Sequence, residues 1–354
     1  MTVGIPLSPG RVLVTGGASF LGEHLAPALV RFGATVRVLD RVPRPAWIGD
    51  RQVEYVQADV REEATVARAL AGVDTVVHAA FASPREPGAV IREVNETATA
   101  RLLTLARAAG VRRFILVSST IVLMPPCGHP LLARTPVGRL DLYRQTRVAA
   151  ERLAEGCAGP GFVVAVARPA TFLGPGRVAA FAFLFDWIRR GGIVPVLGPG
   201  HSRYQILDVR DLADGLCRLA ADEQGGRFAF GARDVSSMRA ELEALIVHAG
   251  TGARVWCVPA WPARLLPRGL ELVGLAPLSE WHRRAARQED WVLDVSPAER
   301  RLGWRATRSN LQALIEAYDW YVDSVAAGAA PRGHPIPLSH HVLRRLAAWL
   351  GPGR

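Results

Sequence analysis

Short apolar runs alternate with stretches of helical spacing through the first half of the chain. Residues 11–15, RVLVT, form a compact apolar run that turns into GGASFLG, after which Leu21, Leu25, Leu29 and Phe32 recur at intervals of three or four. Strand, glycine turn and helix open a βαβ unit. A second run ends at Asp40, others end at Tyr55-Val56, at Val76-Val77 and in FILVSS, and GFVVAVARP supplies a further buried strand near residue 165. This alternation predicts an α/β fold built on a doubly wound parallel sheet, with its ligand site at the carboxyl ends of the strands.

Beyond about residue 172 the alternation weakens, and Pro, Trp and Arg become more frequent. We expect one domain over residues 1–172 and a smaller, mainly substrate-binding lobe over 173–325, with part of 204–235 returning to the first domain. Residues 326–354 read as a linker and an amphipathic tail, in which Val342, Leu343, Leu346, Ala347 and Leu350 lie opposite Arg344 and Arg345. Docking of the tail onto its own domain or a dimer partner is the reading we adopt, with a membrane surface as the alternative.

Composition narrows the class. At 354 residues, 49% hydrophobic and mean hydropathy +0.14, the chain is globular rather than disordered. No apolar run reaches the roughly 18 residues of a membrane span, and the start lacks the regions of a signal peptide, so a cytoplasmic protein is expected. Cys127, Cys157, Cys217 and Cys257 are widely spaced and offer no C-x-x-C zinc or redox pair, so no metal is expected. The net charge of +11 comes from arginines spread along the whole chain rather than gathered in a block. Nucleic acid is therefore not expected, and an anionic small-molecule substrate explains the charge equally well. All 43 basic residues are arginine and none is lysine.

The glycines after the first strand have a physical role: one makes the tight turn, one admits a pyrophosphate, and one packs helix against strand. Gly16, Gly17 and Gly22 fill these places, and Asp40 ends the second strand 18 residues beyond Gly22. A carboxylate there accepts hydrogen bonds from both adenosine ribose hydroxyls and repels a 2′-phosphate, so NAD is preferred. Arg41, just behind it, keeps NADP open.

On these residues the chain resembles the extended short-chain dehydrogenase/reductase family, the NAD-dependent epimerase/dehydratases. TGGASFLG is similar to the family's T-G-x-x-G-x-x-G, with Ser19 at the middle glycine and Phe20 and Leu21 beside it. ADV at 58–60 resembles the segment whose aspartate, here Asp59 followed by Val60, contacts adenine. DTVVHAA, ending in Ala79 and Ala80, is similar to the strand and turn lining the cofactor, and Asn95 would begin a helix like the family's N-x-x-G-T helix. RPATFLGPG, with Pro169 and Thr171, resembles R-P-x-N-V-Y-G-P-G, and DVSPAERRLGW resembles D-x-S-K-A-x-x-x-L-G-W. The resemblance spans roughly residues 10–325. It implies a Rossmann domain over 1–172, an NAD(P)-dependent enzyme and a homodimer.

The resemblance also implies the chemistry. FILVSSTIVL aligns with the strand ending in the catalytic Ser or Thr, here Ser119. YRQTR at 143–147 resembles Y-x-x-x-K with arginine for lysine, and residues four apart share a helix face, so Tyr143 and Arg147 can address one cofactor. Two readings follow: Arg147 substitutes for lysine in a lysine-free chain, or the redox step is lost. We adopt the first, because Tyr143 and Ser119 remain. Thr120 and Ile121 replace the Asp-Glu pair of sugar dehydratases, leaving epimerases and ketoreductases. On the substrate side stand Ser119, Thr120, Thr171 and Arg203, the last in a segment that also fits a solvated loop. A nucleotide sugar is the leading substrate class and a steroid-like or other natural-product alcohol the alternative. A non-redox lyase or cyclase and a catalytically silent NAD-binding protein complete the set.

Overall fold

The computed structural model describes residues 9–49, 53–123, 142–178, 181–259 and 289–328. Seven strands, β1 (Arg11–Thr15), β2 (Thr35–Asp40), β3 (Val53–Gln57), β4 (Thr75–His78), β5 (Arg113–Val117), β6 (Val163–Pro169) and β10 (Gly226–Phe230), pair in the order β10-β6-β5-β4-β1-β2-β3. Every pairing is parallel. The order reverses between β1 and β4, the switch point at which doubly wound sheets bind ligands. β4 and β5 are buried along their whole length. Strands covered on both faces have no solvent side, which is why they read as continuous apolar runs.

The described residues divide into two compact units. One holds residues up to Phe172 together with 209–231 and 293–306, and the other holds 173–208, 232–292 and the residues from Thr307 on. In the first, α1 (Phe20–Arg31) packs against α7 (Val209–Ala221), and α4 (Thr99–Ala108) packs against both α2 (Glu63–Ala69) and α5 (Leu142–Gly156). Leu13, Val76, Phe114 and Val166 of the strands join Val66, Leu102, Ala150 and Ala154 of those last three helices in one buried cluster.

Two boundaries differ from the sequence reading. Asn95 does not begin a helix: helical backbone starts after Pro87 as α3 (Gly88–Arg92), widens into a π-helical turn over Glu93–Ala98 and continues as α4. Asn95 is buried inside this run, where its amide bridges two other segments instead of capping a terminus. Residues 293–306, placed with the second lobe on sequence, group with the first unit. Their helix α9 (Ser296–Leu302) leads to Trp304, whose indole N–H donates to the Asp211 carbonyl at 2.9 Å and whose ring meets Phe230 edge-on at 4.9 Å.

In the second unit β8 (Ile193–Leu197) pairs in parallel with β11 (Arg254–Val258). Helices α6 (Phe181–Arg189), α8 (Met238–Ala249) and α10 (Asn310–Ala326) supply Phe185, Ile188, Leu245, Leu314, Tyr318 and Tyr321 to a core shared with Val194. Ser309 and Gln312 form a reciprocal capping box at the start of α10. The short strands β7 (Thr171–Leu173) and β9 (Ile206–Asp208) complete the described elements. Among the described residues no helix is long and apolar enough to cross a membrane. Cys127, His129, most of the Trp- and Leu-rich stretch 256–281 and the tail beyond residue 328 lie outside the described residues.

Candidate active site

The residues expected to hold a dinucleotide gather at the carboxyl ends of the strands of the first unit. Gly16 has φ +67°, and a Cβ there would come within 2.7 Å of the Ala80 backbone. Only glycine lets this turn lie against Ala79 and Ala80 at the end of β4. A Cβ on Gly22 would sit 1.8 Å from the Gly17 carbonyl oxygen, so the third glycine is required for the helix to leave the strand at this angle. Ser19 is the N-cap of α1, its extended backbone letting Oγ accept the Gly22 N–H at 3.5 Å. Phe20 stacks on Phe172 with ring centroids 6.1 Å apart, and Leu21 is buried. The result is a backbone cradle at the positive end of a twelve-residue helix, a ready site for a pyrophosphate.

Asp40 points back at this turn: Oδ2 accepts the Ala18 N–H at 3.0 Å and Oδ1 the Val42 N–H at 3.3 Å. Arg41 extends into solvent, 3.7 Å from Glu86. Asp59 is engaged by Arg61, whose Nε and Nη2 lie 2.9 and 2.8 Å from its oxygens. These hydrogen bonds hold the Asp59 carboxyl below the usual carboxylate range. The Val60 side chain belongs to the core.

On the chemical side, Ser119 follows β5, and its Oγ accepts the Ile121 N–H at 3.3 Å, capping a 3-10 turn that starts at the buried Thr120. Neighbouring Ser118 has a buried hydroxyl without a hydrogen-bond partner among the described residues. Tyr143 is half-buried in the first turn of α5. One turn on, Arg147 is only 4% exposed. Its Nη2 donates to the Val117 carbonyl at 3.0 Å, while Nε and Nη1 are buried without partners among the described residues. Its Cζ lies 3.3 Å from the Phe81 ring centroid and 5.9 Å from that of Tyr143. Burial pushes the guanidinium below its ordinary pKa, opposed by the charges of Tyr143 and Glu151, but an arginine remains protonated throughout the working range.

Three contacts fix this helix, and the sequence reading saw none of them. Asn95 Oδ1 accepts the Ala82 N–H at 2.9 Å, its Nδ2 donates to Thr146 Oγ1 at 3.0 Å, and Thr146 Oγ1 donates to the Tyr143 carbonyl at 2.8 Å. Glu151 receives a two-pronged ion pair from Arg168. Phe81 lies over Arg147, and no spacing signal connects residues 66 positions apart. His78 is fully buried between Thr15 Oγ1 at 2.7 Å and Thr99 Oγ1 at 2.9 Å. Burial and then the nearby Arg147 charge hold its pKa at about 3, so it is neutral.

Pro169 is buried at the end of β6 and Thr171 is half-buried two residues on. Arg203 belongs to the second unit, where Nε and Nη2 donate to Asp290 Oδ2 at 2.8 and 2.6 Å and its backbone N–H donates to Oδ1 at 2.8 Å. That guanidinium already serves an internal carboxylate.

Residues 12–231 match the model of the NAD dependent epimerase/dehydratase family. The chain is 32% identical over 349 residues to the uncharacterized protein y4nG of Sinorhizobium fredii, covering 96% of this chain and 87% of that protein. It is 30% identical over 344 residues to the 3 beta-hydroxysteroid dehydrogenase/Delta 5-->4-isomerase of Mycobacterium tuberculosis, covering 88% and 90%. Among solved structures, the epimerase Mth375 of Methanothermobacter thermautotrophicus matches with TM-score 0.72 at 20% identity, covering 91% of this chain and 95% of that one. At that identity the likeness concerns the fold.

Proposed function

This chain belongs to the NAD-dependent epimerase/dehydratase family of extended short-chain dehydrogenases/reductases, and from that premise we propose that it interconverts a secondary alcohol and its ketone with NAD(H), using Tyr143 as the acid/base. The observation that carries the proposal is the buried Arg147, one helical turn from Tyr143, with Nε and Nη1 without partners among the described residues.

The cradle fits the cofactor. Gly16, Ser19, Phe20, Leu21 and Gly22 offer backbone to the pyrophosphate, Asp40 takes the adenosine ribose hydroxyls, and Asp59 with the Val60 backbone borders the adenine. Ala79, Ala80 and Pro169 line the remaining length, and Nε and Nη1 of Arg147, buried and unpartnered among the described residues, suit the hydroxyls of the second ribose. NAD, when bound, supplies the hydride acceptor, and NADH the donor.

In the oxidative direction Tyr143, as phenolate, accepts the proton of the substrate hydroxyl. The carbinol C–H bond breaks with its electron pair leaving as hydride, and the C=O double bond forms. Ser119 donates a hydrogen bond to the reacting oxygen, with Thr120 beside it in sequence and Thr171 just beyond the end of β6 to border the substrate. A tyrosine titrates near 10 when unperturbed, so a fixed positive charge is needed for the phenolate to be a useful base near neutrality. Arg147 supplies that charge.

For the substrate we assign an apolar ring alcohol first, supported by the steroid-acting relative that aligns over nearly the full length. A nucleotide sugar, foremost on sequence, ranks second because Arg203, the cation expected on the substrate side, is held by Asp290. The test follows formation of reduced nicotinamide when the protein is given NAD with a hydroxysteroid panel or with UDP-hexoses. Turnover on the steroids supports the assignment, and turnover confined to the sugars reverses it. NAD binding without turnover on either panel rejects the redox reading.

A further inference from the structure

Replacing lysine by arginine in a buried position changes the shape of the donor as well as its size. An ammonium is a compact point charge with three rotatable donors, whereas a guanidinium is a rigid plane that donates only along its edge. Whatever fixes that plane fixes the direction of every donor it carries. In this chain the plane is covered by Phe81, whose ring centroid lies 3.3 Å from Arg147 Cζ.

We propose that Phe81 is the positioning residue that makes Arg147 workable, its ring holding the guanidinium plane so that Nε and Nη1 stay available to the cofactor. The inference rests on the reading of Arg147 given under Proposed function. Three observations support it. The single edge contact of the guanidinium within the described residues, Nη2 to the Val117 carbonyl, fixes one point and leaves rotation about it. The face contact with Phe81 removes that freedom. Phe81 is itself held, half-buried against the core and 5.2 Å from the ring of the buried, doubly hydrogen-bonded His78. A desolvated cation on an aromatic face is also strongly attracted, which offsets part of the cost of burying Arg147. His78 is uncharged, so the ring beside Phe81 adds no second cation near Arg147.

The test is NADH binding, followed by the fluorescence of the reduced nicotinamide, in wild type, Phe81→Leu, Phe81→Tyr, Arg147→Lys and the Phe81→Leu/Arg147→Lys double variant, with melting temperatures recorded to confirm folding. Leucine keeps apolar volume without a ring, and tyrosine keeps the ring. We expect Phe81→Leu to weaken NADH binding about 10- to 30-fold and Phe81→Tyr to stay within about 3-fold of wild type. In the Arg147→Lys background, Phe81→Leu should cost less than about 3-fold, because an ammonium has no plane to hold. Equal losses from Phe81→Leu in both backgrounds, or equal affinities for Leu and Tyr, would overturn the positioning role while leaving the redox reading intact. Failure of the wild type to bind NADH would reject both. A denaturant double-mutant cycle on Phe81 and Arg147 without cofactor should be non-additive, and additive effects would reject the stack itself.

Discussion

Arg168 and Glu151 meet through two parallel hydrogen bonds, Nε to Oε1 at 3.0 Å and Nη2 to Oε2 at 2.5 Å, with each side chain only 3% exposed. The pair ties α5 to β6, and Glu151 lies one turn beyond Arg147, so a single buried carboxylate faces two cations. Glu151→Gln should remove the carboxylate charge that the buried Arg168 pairs with, costing about 3–5 kcal/mol of stability. Replacing both partners with apolar residues should cost less, because the Arg168 charge is removed along with its carboxylate. Urea unfolding of the two variants distinguishes this pair from a surface ion pair, whose loss would be worth under about 1 kcal/mol.

His78 gives the fold an acid-sensitive term. The unfolded residue titrates near 6.5, while the folded one is held at about 3 by burial and by Arg147. Between those values the unfolded chain binds a proton that the folded chain does not, so stability rises with pH across this window and is fully present above it. Acidification from about pH 7 to about pH 5 should remove about 2 kcal/mol through this group. In His78→Gln the corresponding slope of unfolding free energy against pH should be absent, and an unchanged slope would assign the acid sensitivity elsewhere.

Cofactor choice should follow Asp40, whose carboxylate is aimed by the Ala18 and Val42 amides, and not Arg41, which stands near Glu86. Wild type should bind NADH more tightly than NADPH. Asp40→Asn keeps an acceptor for the Ala18 N–H and removes the charge that repels a 2′-phosphate, so NADPH affinity should rise about 10-fold. Paired titrations of both cofactors decide this, with a wild-type preference for NADPH pointing to Arg41.

Much of the first unit could be read from the chain because buried parallel strands appear as apolar runs, and because the glycine turn and Asp40 belong to one local βαβ unit. The contacts that position the chemistry are long-range and could not. Arg203 and Asp290 are 87 residues apart, and Phe81 and Arg147 are brought together only by the sheet. Asn95, expected to begin a helix by resemblance to the N-x-x-G-T segment, lies inside one, because helix formation has already begun behind Pro87, and its amide instead joins the β4 turn to α5. Trp304 gave no hint in its spacing that its segment returns to the first unit.

Removing the charge at Arg147 should act on both cofactor and phenol. Arg147→Ala should weaken NADH binding by about 10-fold or more and slow turnover at neutral pH, since the buried cation near the Tyr143 ring is lost. Arg147→Lys should recover part of both. Identical pH–rate profiles for the three proteins would make Arg147 a packing residue only.

The most direct measurement is the turnover of Tyr143→Phe with NAD and whichever alcohol the substrate panels identify, set beside its NADH affinity. The phenylalanine keeps the half-buried ring and removes only the proton-transfer group. The account predicts a fall in kcat of about 10²- to 10⁴-fold with NADH affinity within about 2-fold of wild type. A Tyr143→Phe protein that turns over at the wild-type rate would contradict it.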